Sequence, residues 1–260
     1  MEQRLSKDWT NIEWVLTDVD DTLTWQGKLP PETLLALNSL KQRGIKVIAV
    51  TGACAGWCDH IAQLWPVDAV LGENGAFTLE KSEKGIRLSS AVPLDTMRAQ
   101  QAQLKQKIEP LLAQYHDVGL TLDQAYRLCE VAIDIGQNRE PLAPELVEQI
   151  VSQIHQFGAH ATASSIHINA WYGDHSKRNS AFAYLRSKGL SDQQILDTCC
   201  YVGDSLNDQQ MFETLPFTVG VQNIEHYWQR LQHKPSTVMS QPGGYGFAEF
   251  SQQLLALKNP

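Results

Sequence analysis

The sequence predicts an α/β protein in which a parallel sheet forms the core and a separate α+β domain is inserted. Short apolar runs alternate with helical patterns near both ends of the chain, which indicates strand–helix–strand crossovers and a parallel sheet. In the middle, the pattern changes to long helices and alternating strands, typical of an antiparallel sheet with helices on one face. We expect residues 1–88 and 174–260 to form the core and residues 89–173 the inserted domain.

The first core segment is read from its apolar runs and from the residues that interrupt them. An apolar run rises to Leu16 and breaks into the carboxylates Asp18, Asp20 and Asp21. Proline favours the first turn of a helix and glycine the position after its end. The predicted elements are a helix opening at 30–31 and stopping at 44, a strand at 46–50, a helix at 54–64, a strand at 67–71, and a hairpin of 76–79 with 86–88.

The helices and strands of the insert and of the second core segment are predicted from the spacing of their apolar residues. Within the insert, apolar residues recur at helical spacing in two stretches and alternate with period two in two others. The predicted elements there are helices at 95–114 and 144–157 and strands at 127–135 and 165–171. The core then resumes with a helix at 176–188, strands at 198–202 and 217–221, and a closing helix at 246–257.

Composition excludes several classes of function. The 260 residues carry a formal charge of −8 and no basic run, which argues against nonspecific binding of nucleic acid. The polar N-terminus and the lack of a long apolar run predict no signal peptide and no membrane span, so a cytoplasmic location is expected. Five cysteines, an odd number, fit reduced thiols, and Cys54 and Cys58 lack the second pair that a zinc site needs.

Three predicted strands, far apart in the chain, each end in a polar cluster. The clusters are Asp18 with Asp20, Thr51-Gly52, and Asp204 with Asp208. A lone aspartate after a strand is most often a turn or helix-capping residue, but the carboxyl ends of parallel strands share one edge, so three such clusters indicate a site. Carboxylates packed so closely repel one another unless a cation lies among them or they share a proton, and the cation is the hypothesis adopted here, which predicts a Mg²⁺ site.

Lys177 supplies a further element of the same site. It lies near the start of a predicted helix, where the positive end of the helix dipole disfavours a cation. A solvated surface lysine is the ordinary alternative for such a position. Beside a cluster of carboxylates and a phosphate, however, a cation has a clear electrostatic purpose.

These residues together resemble the haloacid dehalogenase (HAD) superfamily of phosphohydrolases, whose four motifs occur in order. The motifs are Asp18-Val19-Asp20-Asp21-Thr22-Leu23-Thr24, Val50-Thr51-Gly52, Lys177, and Gly203-Asp204-Ser205-Leu206-Asn207-Asp208. The insert resembles the class II, type B (C2B) cap of subfamily IIB, which includes the Cof-like sugar phosphatases and sucrose-phosphate phosphatase. The resemblance implies a Rossmann-like core, and the segment 72–76 is also similar to one common in that subgroup.

The resemblance implies a role for each motif residue. Asp18 would be the nucleophile that forms an aspartyl-phosphate, and Asp20 would be the general acid and base. Mg²⁺ would be bound by Asp18, the backbone carbonyl of Asp20 and Asp204, with Asp208 as a further ligand or as the holder of a water molecule. Phosphate would be bound by Thr51, Gly52 and Lys177, and Asn207 would orient Lys177 or the loop. Asp21, where the family usually has glycine, and Ala53, where many relatives have arginine, depart from the pattern and have no implied task.

The predicted cap strand offers candidate substrate contacts. Period-two alternation places Ser165, His167, Asn169 and Trp171 on one face. His167 and Asn169 can bind hydroxyl groups, and Trp171 can stack on a sugar ring, although an exposed strand histidine is an equally ordinary interpretation. Arg127 and Glu130 on the other cap strand are weaker candidates.

The function expected is a Mg²⁺-dependent phosphatase of a small phosphate ester, with a sugar phosphate as the favoured substrate. A phosphomannomutase-like phosphosugar mutase that uses the same aspartyl-phosphate is the first alternative. A signalling receiver domain or a noncatalytic metal-binding module is the second, disfavoured by the insert and by the presence of all four motifs. Neither the substrate nor the oligomeric state follows from the sequence.

Overall fold

The computed structural model describes residues 5–164 and 166–258 and contains two sheets. The larger sheet has eight strands: β1 Trp14–Thr17, β2 Lys46–Val50, β3 Ala69–Gly72, β4 Phe77–Ser82, β5 Gly85–Ser89, β9 Cys199–Gly203, β10 Phe217–Gly220 and β11 Thr237–Val238. The smaller sheet has three: β6 Val131–Asp134, β7 His160–Ala163 and β8 His167–Trp171. The predicted combination of an α/β core with an α+β insert is confirmed.

The core sheet places β1 near its centre, in the order β11-β10-β9-β1-β2-β3-β4-β5. The six strands from β11 to β3 pair in parallel, and the β4–β5 hairpin extends the sheet antiparallel at one edge. The apolar runs are buried because helices cover both faces: α1 Pro31–Gln42, α2 Ala55–Leu64, α5 Lys177–Ser187, α6 Asp192–Thr198, α7 Gln209–Thr214 and α8 Gly243–Leu257. All the parallel strands therefore end at one edge of the sheet.

The insert has a core of its own. In the order β6-β8-β7, both pairs of the small sheet are antiparallel, and α3 Leu94–Leu112 and α4 Pro144–Gln156 contact it. On β8, Ile168 and Ala170 belong to the hydrophobic cluster of the insert, whereas His167 and Asn169 point to the other face. The predicted alternation is therefore present. The domain bounds at residues 89 and 173 stay a prediction.

Several element boundaries differ from the predictions. The strand expected at 127–135 is only Val131–Asp134, because the backbone amides of residues 128–130 bind a carboxylate of the core instead of a neighbouring strand. The sequence analysis missed β7, β11, α6 and α7, which are all short. In the described part of the chain, no helix has both the length and the hydrophobicity of a membrane span.

Candidate active site

Asp18 lies directly after the central strand, with both carboxylate oxygens engaged. The amide of Val19 donates to Oδ1 at 2.8 Å, and Lys177 Nζ lies 3.0 Å from Oδ2. Burial raises the pKa of Asp18 to about 7, although the charge of Lys177 opposes this shift. The Asp18 carboxyl group is therefore held in one orientation beside a cation.

Asp20 and Asp21 lie in the tight turn that follows. Asp21 has a φ of 53°, in the left-handed region, which explains why glycine is usual here and why aspartate is tolerated. Its Oδ1 accepts a hydrogen bond from the amide of Gln26 at 3.2 Å, so the side chain caps the turn. Burial and then the Asp21 charge raise the pKa of Asp20 to about 6, a value suited to exchanging a proton near neutrality.

Thr51 and Gly52 end the adjacent strand, β2. Thr51 Oγ1 accepts a hydrogen bond from the amide of Ala53 at 3.0 Å, which fixes the loop. The carbonyl of Gly52 accepts hydrogen bonds from two insert side chains, Arg127 Nη1 at 2.8 Å and Asn169 Nδ2 at 3.1 Å. A Cβ atom on Gly52 would lie 2.6 Å from Asn169 Nδ2, so glycine is what allows this close approach.

Lys177 is the first residue of α5, which begins where the Ser176 side chain accepts a hydrogen bond from the amide of Asn179. Its Nζ lies 2.8 Å from Asp208 Oδ1 and 3.0 Å from Asp18 Oδ2. Burial disfavours the charged amine, but these two carboxylates raise the pKa of Lys177 above its ordinary value. The two anions therefore offset the helix dipole and keep the lysine charged.

Asp208 organises the loop after β9 through both of its oxygens. Oδ1 accepts hydrogen bonds from Lys177 and from the hydroxyl of Tyr201 at 2.6 Å. Oδ2 accepts hydrogen bonds from the amides of Asp204 at 2.9 Å and Ser205 at 3.1 Å. With four donors on two oxygens, the geometry favours a positioning role for Asp208 over direct metal coordination.

The carboxylates suit a hard divalent cation. One oxygen each of Asp18, Asp204 and Asp208 lies within 4.8 Å of the others, and all three residues are buried. Burial, reinforced by the charges of Asp208 and Asp18, raises the pKa of Asp204 well above its ordinary value. Thr22 and Asn223 donate to the two Asp204 oxygens at 3.2 and 2.9 Å and hold the group in place. Oxygen donors with excess negative charge are the ligands that Mg²⁺ prefers.

A small pocket separates the carboxylates from the insert. It has a volume of only about 20 Å³, and both domains line it: Asp18, Asp20, Gly52, Asp204, Ser205 and Asn207 from the core, and Thr162, Ser164, His167 and Asn169 from the insert. Burial and then the Arg127 charge lower the pKa of His167 to about 4, so the ring is neutral at pH 7. Its Nε2 lies 2.7 Å from Gln137 Oε1.

The other predicted site residues have different surroundings. Trp171 lines a neighbouring cleft of about 880 Å³, and its indole donates to the carbonyl of His175 and packs between His160 and His175. Asn207 lines both spaces, and its Oδ1 accepts a hydrogen bond from Ser205 Oγ at 2.8 Å, which favours a role in shaping the loop. Ser165 lies outside the described residues.

A set of buried contacts, which we call the clasp, joins the insert to the core. The Glu73 carboxylate accepts hydrogen bonds from the amides of Leu128, Cys129 and Glu130 at 2.7 to 2.8 Å. Glu130 in turn accepts hydrogen bonds from Asn74, Asn169 and Arg127 at 2.7, 2.9 and 3.3 Å. Burial raises the pKa of Glu130 to about 8 against the opposing effect of Arg127. The clasp ends at the carbonyl of Gly52, beside the pocket.

Sequence reasoning missed Asn223 and Glu73 as parts of the site. Asn223 holds Asp204 and also donates to the carbonyl of Asp21. It follows β10 as the other polar clusters follow their strands, so the same rule could have found it. Glu73 follows β3, but its partners lie in the insert and leave no local signal in the sequence.

The fold and the site define a class: an α/β protein with an inserted α+β domain and a carboxylate at the end of its central strand. A family model described as haloacid dehalogenase-like hydrolase matches residues 15–126, which contain the first two motifs. The matched residues make up less than half of the chain, and the match agrees with the predicted resemblance to this superfamily.

Solved structures share the whole fold at low sequence identity. A protein of Thermoplasma acidophilum has a TM-score of 0.71 at 16% identity, covering 94% of this chain and 98% of that one. The sucrose-phosphatase of Synechocystis sp. PCC6803, solved with sucrose and phosphate, has a TM-score of 0.65 at 13% identity, with coverages of 94% and 98%. A HAD subclass IIB sugar phosphatase has a TM-score of 0.61 at 15% identity, covering 94% and 99%. A comparison with curated protein sequences gave no match.

Proposed function

We propose that the protein is a Mg²⁺-dependent phosphatase that hydrolyses a small phosphate ester, with sugar phosphates as the favoured substrates. The observation that carries the proposal is the position of Lys177 Nζ, 3.0 Å from Asp18 and 2.8 Å from Asp208 at the edge of a carboxylate cluster. A nucleophilic carboxylate beside a fixed cation suits phosphoryl transfer, in which positioning and charge stabilisation dominate. The sugar phosphatases that share the fold support the substrate class.

The proposed mechanism divides the work between two carboxyl groups. Asp18 attacks phosphorus and forms an aspartyl-phosphate, while Asp20, whose raised pKa of about 6 suits it to exchange a proton near neutral pH, protonates the leaving alkoxide. Asp20 then takes a proton from the water that hydrolyses the phosphoenzyme. Thr51 and Lys177 bind the phosphoryl oxygens.

Asp18, Asp204 and the backbone carbonyl of Asp20 would hold Mg²⁺, with Asp208 positioning Lys177 and the loop. The ion supplies charge stabilisation to the phosphoryl group. The phosphoryl group and the leaving group lie between two domains, so the substrate is a small molecule. A cytoplasmic location stays a prediction.

Phosphate release from p-nitrophenyl phosphate and a panel of sugar phosphates tests this proposal. We expect turnover with Mg²⁺, loss of turnover when EDTA removes the ion, and a loss of at least about 1000-fold for Asp18→Asn, which removes the nucleophile. With p-nitrophenyl phosphate, whose leaving group needs no proton, Asp20→Asn should form phosphoenzyme but hydrolyse it slowly, so acid-quenched protein should retain phosphate. Undiminished release by Asp18→Asn would refute the assignment of the nucleophile, and an isomeric sugar phosphate as product would indicate a mutase.

A further inference from the structure

The insert side of the catalytic pocket carries no positively charged side chain among the described residues. Its contributions are Thr162, Ser164, His167 and Asn169. The hydroxyl of Ser164 already accepts hydrogen bonds from the amides of residues 166 and 167, and the His167 ring is neutral. All the charged residues that line the pocket are carboxylates of the core.

The cations near this pocket are already committed to other partners. The Arg127 side chain is fully buried, and its guanidinium binds Glu130, Asp123 and the carbonyl of Gly52. Lys177 lies on the core side between two carboxylates. Arg178 lines the outer cleft, where its guanidinium lies 5.6 Å above the ring of Phe182. The two arginines therefore offer no free charge to a leaving group in the pocket, and the charge of Lys177 lies on the core side, where the phosphoryl group is proposed to bind.

Asn169, one of the residues that line the pocket, carries a buried acceptor that has no donor. Its Nδ2 is fixed by two acceptors, the carbonyl of Gly52 at 3.1 Å and the Glu130 carboxylate at 2.9 Å. These two hydrogen bonds fix the amide group, and its Oδ1 has no hydrogen-bond partner in the described structure. The residue is only 5% exposed, so Oδ1 is buried as well as unpartnered. A buried acceptor needs a donor, and a hydroxyl group supplies one, whereas a carboxylate or phosphate oxygen does not.

We infer that the pocket selects an uncharged, hydroxyl-bearing leaving group and excludes one that carries a second anionic group, with Asn169 as the selecting residue. The inference rests on the proposed phosphatase function and narrows its substrates. An anion placed here would lose its hydration, meet the Asn169 oxygen and find no cation. The same property disfavours the mutase alternative, because a sugar bisphosphate would bring a second phosphate into the pocket.

Equilibrium binding tests the inference separately from catalysis. The protein is the Asp18→Asn variant with Mg²⁺, and the ligands are two pairs that differ in one group, a hydroxymethyl or a carboxylate: glycerol 3-phosphate with 3-phosphoglycerate, and glucitol 6-phosphate with 6-phosphogluconate. Calorimetry should give dissociation constants at least about 100-fold weaker for the carboxylate member of each pair. Equal or tighter binding of the carboxylate members overturns the inference, whereas absence of phosphate release by the wild type overturns the proposed function.

Two substitutions test the residues that carry the argument. Asn169→Leu removes the acceptor, and we expect it to weaken the binding of the uncharged member of each ligand pair. The ratio of the two dissociation constants in a pair should then narrow by about tenfold or more. Thr162→Lys places a cation at the pocket and should strengthen the carboxylate members. If both variants fold and the ratio of dissociation constants within each ligand pair is the same as before the substitution, the inference is contradicted. If either variant does not fold, the wild-type pattern of hydrolysis across the same pairs decides the question.

Discussion

At the scale of single residues, Asp21 shows how one departure from a family pattern acts on its neighbour. The residue keeps the left-handed turn that glycine usually makes and adds a charge beside Asp20. That charge, after burial, is the second cause of the raised pKa of Asp20. Asp21 therefore raises the proton affinity of Asp20, the residue proposed as the general acid.

Asp21→Asn should shift the pH dependence of turnover. Asparagine tolerates the positive φ, so the turn should persist, and loss of the charge lowers the pKa of Asp20. Because Asp20 must be protonated to release the alkoxide, the basic limb of the kcat profile should move to lower pH by up to about one unit. Profiles measured with a poor leaving group, such as a sugar phosphate, test this. A basic limb at the wild-type pH would show that Asp21 does not tune Asp20.

The buried, neutral His167 should make the free energy of unfolding depend on pH below about pH 6.5. Its pKa is about 4 in the folded chain against 6.5 for the free side chain, so the unfolded state binds more protons between these values. Stability is therefore lost as pH falls from about 6.5 to 4, by up to about 3 kcal/mol at 1.36 kcal/mol per unit. His167→Gln should flatten this part of the stability curve in urea unfolding. An equally steep curve for the variant would contradict the assignment.

At the scale of elements, the clasp explains why the strand expected at 127–135 is short. The chain before β6 binds the core through Glu73, Asn74 and Gly52. Arg127 thus brings a guanidinium from the insert to the loop beside Ala53, where many relatives place an arginine of the core. Its contact is with the Gly52 carbonyl, so it fixes the loop rather than a ligand.

Arg127→Met should destabilise the protein because it leaves the buried Glu130 carboxyl without its cation. The free energy of unfolding should fall by about 3 kcal/mol, and the double variant with Glu130→Gln should recover part of the loss. Arg186→Met, which breaks the exposed pair with Asp192, is the matched control and should change stability little. Denaturant titration measures all three. Equal effects of the buried and exposed changes would contradict the role of the clasp.

The sequence predicts the elements near the site better than the contacts between them. Strand ends at Asp18, Thr51 and Asp204 could be read locally, because apolar runs that stop in polar residues define the sheet edge. The short β7 and β11 have too few residues to show a period, and the partners of Glu73 lie more than fifty residues away. Trp171 shares a face with His167, as predicted, but its packing against the rings of His160 and His175 directs it to another cleft.

At the scale of the whole molecule, the insert and the core act on each other through backbone groups. Three consecutive amides of the insert, at 128–130, bind the Glu73 carboxylate, so their hydrogen exchange reports on separation of the two domains. Glu73→Gln removes the charge that holds them. We expect exchange at 128–130 to accelerate by about tenfold or more, while exchange within β1 and β9 stays unchanged. Acceleration throughout the core would indicate global destabilisation instead.

The pocket of about 20 Å³ has a kinetic consequence. A space that barely holds one water molecule is too small for a phosphate ester, so we expect the insert to swing away from the core when substrate binds and when inorganic phosphate leaves. Such a swing displaces solvent, and friction with that solvent then governs its rate. If the swing limits turnover, kcat should fall in inverse proportion to the viscosity of sucrose or glycerol solutions, and should keep its value when a polymer raises only the bulk viscosity.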